Sequence, residues 1–188
     1  MLYPIKSLAT SAVALAAIAS LSFPGHASAA EFHVSTAAEF QAALEGAGAN
    51  GEEDTIYLAP GTYYGAFKYE PVEAEHRSVC VRGEIGTGPG EVILDGQGGG
   101  RVLELRDYTA GPIATFRLQG ITVRNGQRSN SGGGVYVMLD AYDVEVVDCI
   151  IRDNVGANYG GGIYVDTDES VTLENNLIID NTVVQGYG

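Results

Sequence analysis

An all-β solenoid of stacked coils is the fold class that this sequence predicts, and three observations predict it. The segment SGGGVYV at 131–137 returns as YGGGIYV at 159–165, one period of 28 residues later. Most of the chain consists of short β-type runs bounded by glycine, asparagine or aspartate. Helical periodicity is confined to one stretch near the N-terminus. A fixed period of this length is typical of solenoids, in which equivalent positions repeat their chemistry from coil to coil.

Residues 1–29 are predicted to be a secretory signal peptide. Lys6 supplies the positive charge, 8–23 form the apolar segment, and ASA at 27–29 matches an A-x-A cleavage site. A retained membrane anchor is the alternative, which the short apolar segment and the small residues after it disfavour. We therefore expect a secreted or cell-surface protein whose mature chain begins at Ala30. No later stretch of the sequence is long and apolar enough to cross a bilayer.

Residues 30–53 are predicted to form an N-terminal cap region around one short helix, the first element of the mature chain. Thr36 and Glu39 have the spacing of a capping box. Glycines at 46, 48 and 51 are expected to end the helix. The residues between share the spacing of one apolar helix face: Phe40, Ala43, Leu44 and Ala47.

Residues 54–188 are predicted to form the coils. The segment 115–126 aligns with 143–154 at a shift of 28, and 143–154 aligns with 170–181 at a shift of 27. Leucine-rich repeats share this length, but their leucine–asparagine ladder and helical segment are missing from the sequence. Two or three short strands per repeat fit one coil of a parallel β-helix, with neighbouring coils about 4.8 Å apart.

The alignment also predicts which residues stack in the turns and which face the core. Asn154 is expected to lie over Asn181, and Asp148 over Asn175, as structural ladders in the turns. The residues predicted to face inward are aliphatic or aromatic in every coil: Phe116, Leu118, Val123, Val135, Val137, Val144, Val146, Ile151, Ile163, Val165, Val171, Leu173 and Ile178. Because the last repeat stops within its glycine segment, we expect a truncated chain whose open edge continues into further coils or self-associates.

The net charge limits the classes of binding partner, and the cysteine content limits the possible disulfides. The chain has 24 acidic and 10 basic residues, and losing Lys6 with the signal peptide leaves a net charge of −15. This balance argues against nucleic acid and anionic membranes as partners. It also argues against polyanionic substrates, unless a cation bridges them. Weak Ca²⁺ sites built from oxygen ligands are compatible with it. Export permits a disulfide between Cys80 and Cys149, but two buried free thiols are the alternative.

Several segments resemble a known family. The segments 35–47 (STAAEFQAALEGA) and 54–65 (DTIYLAPGTYYG) resemble the N-terminal cap and first coil of pectate-lyase-like parallel β-helix proteins. The segments 91–105 and 116–126 resemble the coils that follow. The resemblance covers about residues 31–188 and implies a right-handed single-stranded parallel β-helix, in agreement with the crossover rule for parallel strands. This fold carries many activities, so the resemblance does not fix one.

A second resemblance is local. The GGG-aliphatic segments 132–135 and 160–163, with Ile-x-x-Asn at 151–154 and 178–181, are similar to the paired repeats of polymorphic outer membrane proteins. An aliphatic residue stands where that family usually has phenylalanine. This resemblance implies a surface or adhesin-type passenger that displays a stiff, non-enzymatic β-helix.

The pectate-lyase resemblance implies aspartates that bind Ca²⁺ beside an arginine acting as the base. The candidates are Arg124 and Arg152, which should stack, with Asp148, Asp153 and Asp180, expected in one turn region. Asp95 and Arg101, which flank the DGQGGG turn, are a further aspartate and arginine of this kind. The lyase segments Trp-x-Asp-His and Arg-x-Pro-x-x-Arg are absent from the sequence. The alternatives are a charged, solvated face and the aspartate pair of a glycoside hydrolase, although no aspartate has a distinctive setting.

Tyr136 and Tyr164 are candidates for stacking against a sugar ring, because they should point outward one coil apart. Alternatively they stack on each other and stiffen the sheet. His33 and His76 are predicted to be surface histidines. The sequence as a whole predicts an exported parallel β-helix that binds or acts on an extracellular polysaccharide or cell-surface glycan; the surface-passenger function remains the alternative.

Overall fold

The computed structural model describes residues 29–72 and 76–185, which wind as a parallel β-helix with one short helix near the N-terminus. The predicted all-β solenoid is therefore confirmed. The predicted signal peptide lies outside the described residues, except for Ala29.

The coils are built from three parallel sheets, and the chain visits them in turn. Sheet A contains β1 (Ala29–Val34), β2 (Glu53–Leu58), β5 (Val79–Gly83), β8 (Ala114–Gln119), β11 (Tyr142–Val147) and β15 (Val171–Glu174). Sheet B contains β3 (Gly61–Tyr64), β6 (Val92–Asp95), β9 (Thr122–Arg124), β12 (Ile150–Arg152) and β16 (Leu177–Ile179). Sheet C contains β4 (Phe67–Tyr69), β7 (Leu103–Asp107), β10 (Val135–Leu139) and β14 (Ile163–Asp166). A small ladder joins β13 (Val155–Gly156) to β17 (Thr182–Val183).

Helix α1 (Ala37–Ala47) forms where its capping box predicted it. The Glu39 N–H donates to Oγ1 of Thr36 at 3.2 Å, and the Thr36 N–H donates to the Glu39 carboxylate at 3.1 Å. The predicted apolar stripe is buried. In the described part of the chain, no helix has the length and apolar character needed to cross a membrane.

The prediction that the helix is the first element was wrong. Strand β1 precedes α1 and pairs in parallel with β2, with Phe32 opposite Ile56. Its sequence AAEFHV has one fully buried side chain, Val34, so the alternation that marks a strand is weak.

The predicted registers hold in all three sheets. Val144 lies between Phe116 and Val171, and Ile151 lies between Val123 and Ile178. Of the predicted inward residues, those from Phe116 to Ile151 are buried, while Ile163 and Val165 are partly buried against the core.

Burial was predicted wrongly for the last coil. Val171, Leu173 and Ile178 keep their register but are 45%, 51% and 46% exposed. The reason is that β15 and β16 are the outermost strands of their sheets among the described residues, so no described coil covers them.

In two sets of turns that stack from coil to coil, one residue of each turn has the left-handed backbone conformation. Between sheets A and B the column is Gly120, Asp148 and Asn175, with φ of 67°, 54° and 55°. After sheet B a second column has φ of 55°, 56° and 54° at Asn125, Asp153 and Asp180. Aspartate and asparagine tolerate this conformation better than other residues with a side chain.

The repeated GGG segments are places where backbones approach closely. A Cβ on Gly133 would lie 2.3 Å from the carbonyl oxygen of Val155, and a Cβ on Gly134 would lie 2.8 Å from the Asn154 amide. The glycines are therefore required by the packing of one coil on the next.

Candidate functional site

Tyr136 and Tyr164 project from adjacent strands on the outer face of sheet C. They are register partners in β10 and β14, and their rings stack with centroids 5.3 Å apart and planes inclined by 13°. The predicted placement is confirmed, and the rings do contact each other.

Arg101 covers Tyr136 from the other side. Its guanidinium carbon lies 3.6 Å from the ring centroid of Tyr136, close enough for a strong cation–π contact. Because β10 lies between β7 and β14, Arg101 and Tyr164 approach Tyr136 from opposite directions. A bound sugar would therefore meet the edge and hydroxyl of Tyr136 rather than a free ring face.

Arg101 is held in place by three hydrogen bonds and is 3% exposed. It donates to the Ser131 carbonyl at 3.1 Å, to the Asn130 side chain at 2.8 Å and to the Glu104 carboxylate at 3.1 Å. Arg106 also pairs with Glu104, and its guanidinium carbon lies 5.6 Å from the Tyr136 ring.

Tyr159 extends the aromatic surface beside Tyr164, with ring centroids 6.4 Å apart. Tyr159 is 47% exposed. The Tyr164 hydroxyl donates to Asp166 at 3.4 Å, and burial together with the nearby Asp166 carboxylate raises the pKa of Tyr164. We call Arg101, Arg106, Tyr136, Tyr159 and Tyr164 the tyrosine face.

Sequence reasoning missed three members of this face. Tyr159 could have been found, because it begins the repeated segment YGGGIYV. Arg101 and Arg106 have no counterpart in the aligned repeats, so the period could not indicate them.

The candidate lyase residues form ion pairs on sheet B. Arg124 and Arg152 are register partners, as predicted. Arg124 Nε donates to the Asp95 carboxylate at 2.7 Å, and Arg152 pairs with Asp153. Each of these two guanidinium groups is thus already engaged by a carboxylate of the chain.

Asp95 is buried and accepts several hydrogen bonds. Burial raises its pKa, but the Gln97 N–H, the Asn125 amide and Arg124 outweigh burial and lower the pKa below its usual value. Asp95 and Arg101 were candidates as neighbours across the DGQGGG turn, but Asp95 pairs with Arg124 and Arg101 pairs with Glu104.

The three candidate aspartates do not share one turn region, so that prediction was wrong. Asp148 lies in the turn between sheets A and B, whereas Asp153 and Asp180 follow sheet B at the other end of β12. Within residues 29–72 and 76–185, no group of three or more His, Cys, Asp or Glu side chains is placed to hold a metal ion. Ca²⁺ binding stays a prediction.

Of the two histidines predicted to lie on the surface, His76 was predicted wrongly. His33 is exposed and stacks on Tyr57, with ring centroids 4.9 Å apart. His76 is buried, with its Nε2 3.2 Å from Oγ1 of Thr109, because the loop at Gly111 packs directly on its ring.

Both cysteines are free thiols. Cys149 is buried under the turn between sheets A and B, and burial raises its pKa to about 11. Cys80 lies partly exposed on the outer face of sheet A, and burial raises its pKa as well.

Comparison with known proteins agrees with the fold. A family model described as a right handed beta helix region matches residues 98–188. The match supports a right-handed parallel β-helix. No curated protein and no solved structure gave a significant match to the chain.

Proposed function

We propose that this right-handed parallel β-helix is an exported, non-catalytic protein that binds an extracellular polysaccharide through the tyrosine face. The observation that carries the proposal is the stacked pair Tyr136–Tyr164, fixed by Arg101 on one side and bordered by Tyr159 on the other. Tyrosine offers sugars an apolar ring and a hydroxyl that forms hydrogen bonds.

The rigidity of the face supports binding. Arg101 is buried and donates three hydrogen bonds, so Tyr136 is held before any ligand arrives. A preorganised surface loses little side-chain entropy on binding. Tyr159 is 47% exposed and lies where a sugar ring could contact it beside the Tyr136–Tyr164 pair.

Binding fits the observations better than lyase chemistry. Arg124 and Arg152 are each paired with a carboxylate, and Asp148 lies in a different turn from Asp153. The arginines that would act as the base are thus paired with carboxylates, and the aspartates that would bind Ca²⁺ lie in different turns.

Affinity electrophoresis in gels containing neutral or acidic polysaccharides tests the proposal, with Tyr164→Ala as the variant. We expect one class of polysaccharide to retard the wild-type chain and Tyr164→Ala to lose most of that retardation. Tyr64→Ala is the matched control, because Tyr64 is 55% exposed on sheet B, away from this face.

Two results would overturn the proposal. One is equal retardation of wild type and Tyr164→Ala; the other is no retardation by any polysaccharide, which is the behaviour of a passive stalk. Formation of unsaturated sugar products with added Ca²⁺ would show that the protein is a lyase rather than a binding protein.

A further inference from the structure

A buried histidine and a buried aspartate face each other at the corner where the chain passes from sheet C to sheet A. His76 precedes β5, and Asp107 is the last residue of β7. His76 Nδ1 lies 3.9 Å from Asp107 Oδ2, and the two side chains are 1% and 4% exposed. Within residues 29–72 and 76–185, neither of these two atoms has a hydrogen-bond partner. Buried polar atoms of this kind are rare in folded proteins, so the pair requires an explanation.

Thr109 connects the other ends of the two side chains. Its hydroxyl donates to Asp107 Oδ1 at 2.6 Å, and its backbone N–H donates to the same oxygen at 2.9 Å. The hydroxyl oxygen also lies 3.2 Å from His76 Nε2. A hydroxyl has one proton, and the short contact with Asp107 uses it. The proton between Thr109 and His76 must therefore come from Nε2 of the histidine.

This assignment decides what lies between His76 and Asp107. A neutral imidazole has one ring proton, and placing it on Nε2 leaves a lone pair on Nδ1. Nδ1 and Asp107 Oδ2 would then be two acceptors that face each other away from water. A second proton, on Nδ1, turns the same contact into an ion pair of imidazolium and carboxylate. The protonated ring is thus the form in which all of these contacts are favourable.

The loop 107–113, which joins β7 to β8, covers the histidine. A Cβ on Gly111 would lie 2.2 Å from the His76 ring, so this part of the loop packs directly on it. Among the residues that the structure describes, the titratable groups that face His76 are Asp107 of β7 and Tyr142 of β11. The Tyr142 ring centroid lies 6.0 Å from that of His76, and its hydroxyl contacts the Tyr69 hydroxyl at 3.3 Å. The carboxylate of Asp107 is therefore the charge that a proton on His76 meets.

We propose that His76, Asp107 and Thr109 form a pH-sensitive clasp, which one proton on His76 closes and which holds the loop 107–113 on the sheet corner. In the closed loop the imidazolium has Asp107 and Thr109 as partners. In an open loop His76 is solvated like a free histidine, which loses its proton at a pH of about 6.5. The closed loop therefore binds the proton more tightly, so acid stabilises it and a rising pH weakens it.

The position of this loop changes the exposed apolar surface. Tyr108 and Ile113 lie on it and are 58% and 60% exposed. Opening the clasp would move both side chains and admit water to the ring of His76. The clasp is built from residues other than those of the tyrosine face, and the proposal does not depend on polysaccharide binding.

Hydrogen–deuterium exchange of the full chain at pH 5.5 and pH 8.0 tests the clasp, with rates corrected for the intrinsic effect of pH on exchange. We expect the amides of 107–113 to be protected roughly fivefold more at pH 5.5 than at pH 8.0. His76→Gln should remove this difference between the two pH values. His33→Gln is the matched control, because it removes an exposed histidine of β1 that stacks on Tyr57, and it should keep the difference.

Nitrogen NMR of the His76 ring in the wild type follows the proton itself and covers the case in which His76→Gln does not fold. We expect a protonated Nδ1 at pH 5.5 that is lost over the same pH range in which the loop loses protection. Equal corrected protection at both pH values, or a pH dependence that folded His76→Gln retains, would overturn the proposal. A neutral ring at pH 5.5 would also overturn it, since a buried water molecule would then bridge His76 and Asp107. Retardation by polysaccharide should be the same in His76→Gln and wild type, so the two proposals fail separately.

Discussion

The side-chain amide of Asn154 donates to Oδ1 of Asn181, one coil further along, at 3.0 Å. The same amide donates to the Val123 carbonyl at 3.1 Å, and its oxygen accepts from the Gly126 N–H at 2.8 Å. One fully buried asparagine therefore joins three successive coils at the turn after sheet B.

Replacing Asn154 with Ala should destabilise the β-helix strongly. The Gly126 N–H and the Val123 carbonyl would lose their partner, and each buried polar group left without one costs about 1–3 kcal/mol. We expect the free energy of unfolding, measured by urea titration, to fall by about 2–4 kcal/mol.

Asn158→Ala is the control, because Asn158 is exposed in the same loop region. A loss of stability no larger than that of Asn158→Ala would show that the asparagine ladder does not hold the coils together.

Gly126 lies at a second close contact between coils, which the addition of one methyl group should disrupt. A Cβ at this position would lie 1.9 Å from the Gly133 carbonyl oxygen, which belongs to the backbone and cannot rotate away. We expect Gly126→Ala to destabilise the protein by about 3 kcal/mol or more, because overpacking forces backbone shifts.

Gly90→Ala is the matched control, since a Cβ there meets nothing within 4 Å. Thermal unfolding followed by circular dichroism should show a clearly lower Tm for Gly126→Ala and a nearly unchanged Tm for Gly90→Ala. Equal Tm values for the two variants would contradict the close approach of these coils.

The sequence was most informative where the chain repeats itself. The pairs Val144–Phe116 and Tyr136–Tyr164 could be predicted because a slip of one residue would turn every inward side chain outward. Strands β1, β3 and β4 lie before the aligned repeats, and the proline and glycines near β3 and β4 indicated turns instead. Periodicity thus predicts coils that have copies and says little about the first ones.

The candidate sites were harder to predict for a physical reason. Tyr136 and Tyr164 are copies of one position, whereas Arg101 occurs in one coil only. Arg101 reaches Tyr136 from a position 35 residues earlier in the chain. This contact leaves no pattern in the sequence, because it depends on which side chains surround the arginine.

The two thiols should differ in reactivity. Cys149 is buried and burial raises its pKa to about 11, so little thiolate is available near neutral pH. Cys80 is partly exposed, and we expect it to react with a thiol reagent at least tenfold faster than Cys149 in the folded protein.

Variants Cys80→Ser and Cys149→Ser assign the two rates. The native Cys80→Ser protein should be nearly unreactive until denaturant is added, whereas Cys149→Ser should react like the wild type. Fast labelling of native Cys80→Ser would contradict the burial of Cys149. A wild-type protein with no titratable thiol after denaturation without reductant would contradict two free cysteines.

The Asp95–Arg124 pair should make stability depend on pH in a defined direction. The pKa of Asp95 is lower in the folded protein than its usual value near 3.9, so the carboxylate stabilises the fold above that pH. This contribution is lost as the pH falls below about 3.9 and through the lowered folded pKa. Asp95→Asn should therefore reduce the free energy of unfolding by about 1–3 kcal/mol at pH 7, because the ionic hydrogen bonds to Arg124 and Asn125 weaken.

Urea titrations at pH 7 and pH 3 should show that the difference in the free energy of unfolding between wild type and Asp95→Asn becomes smaller in acid. Asp140→Asn, at an exposed position, should differ little from wild type at either pH. A difference between wild type and Asp95→Asn that is equally large at both pH values would mean that the shape of the side chain, rather than its charge, supports this turn.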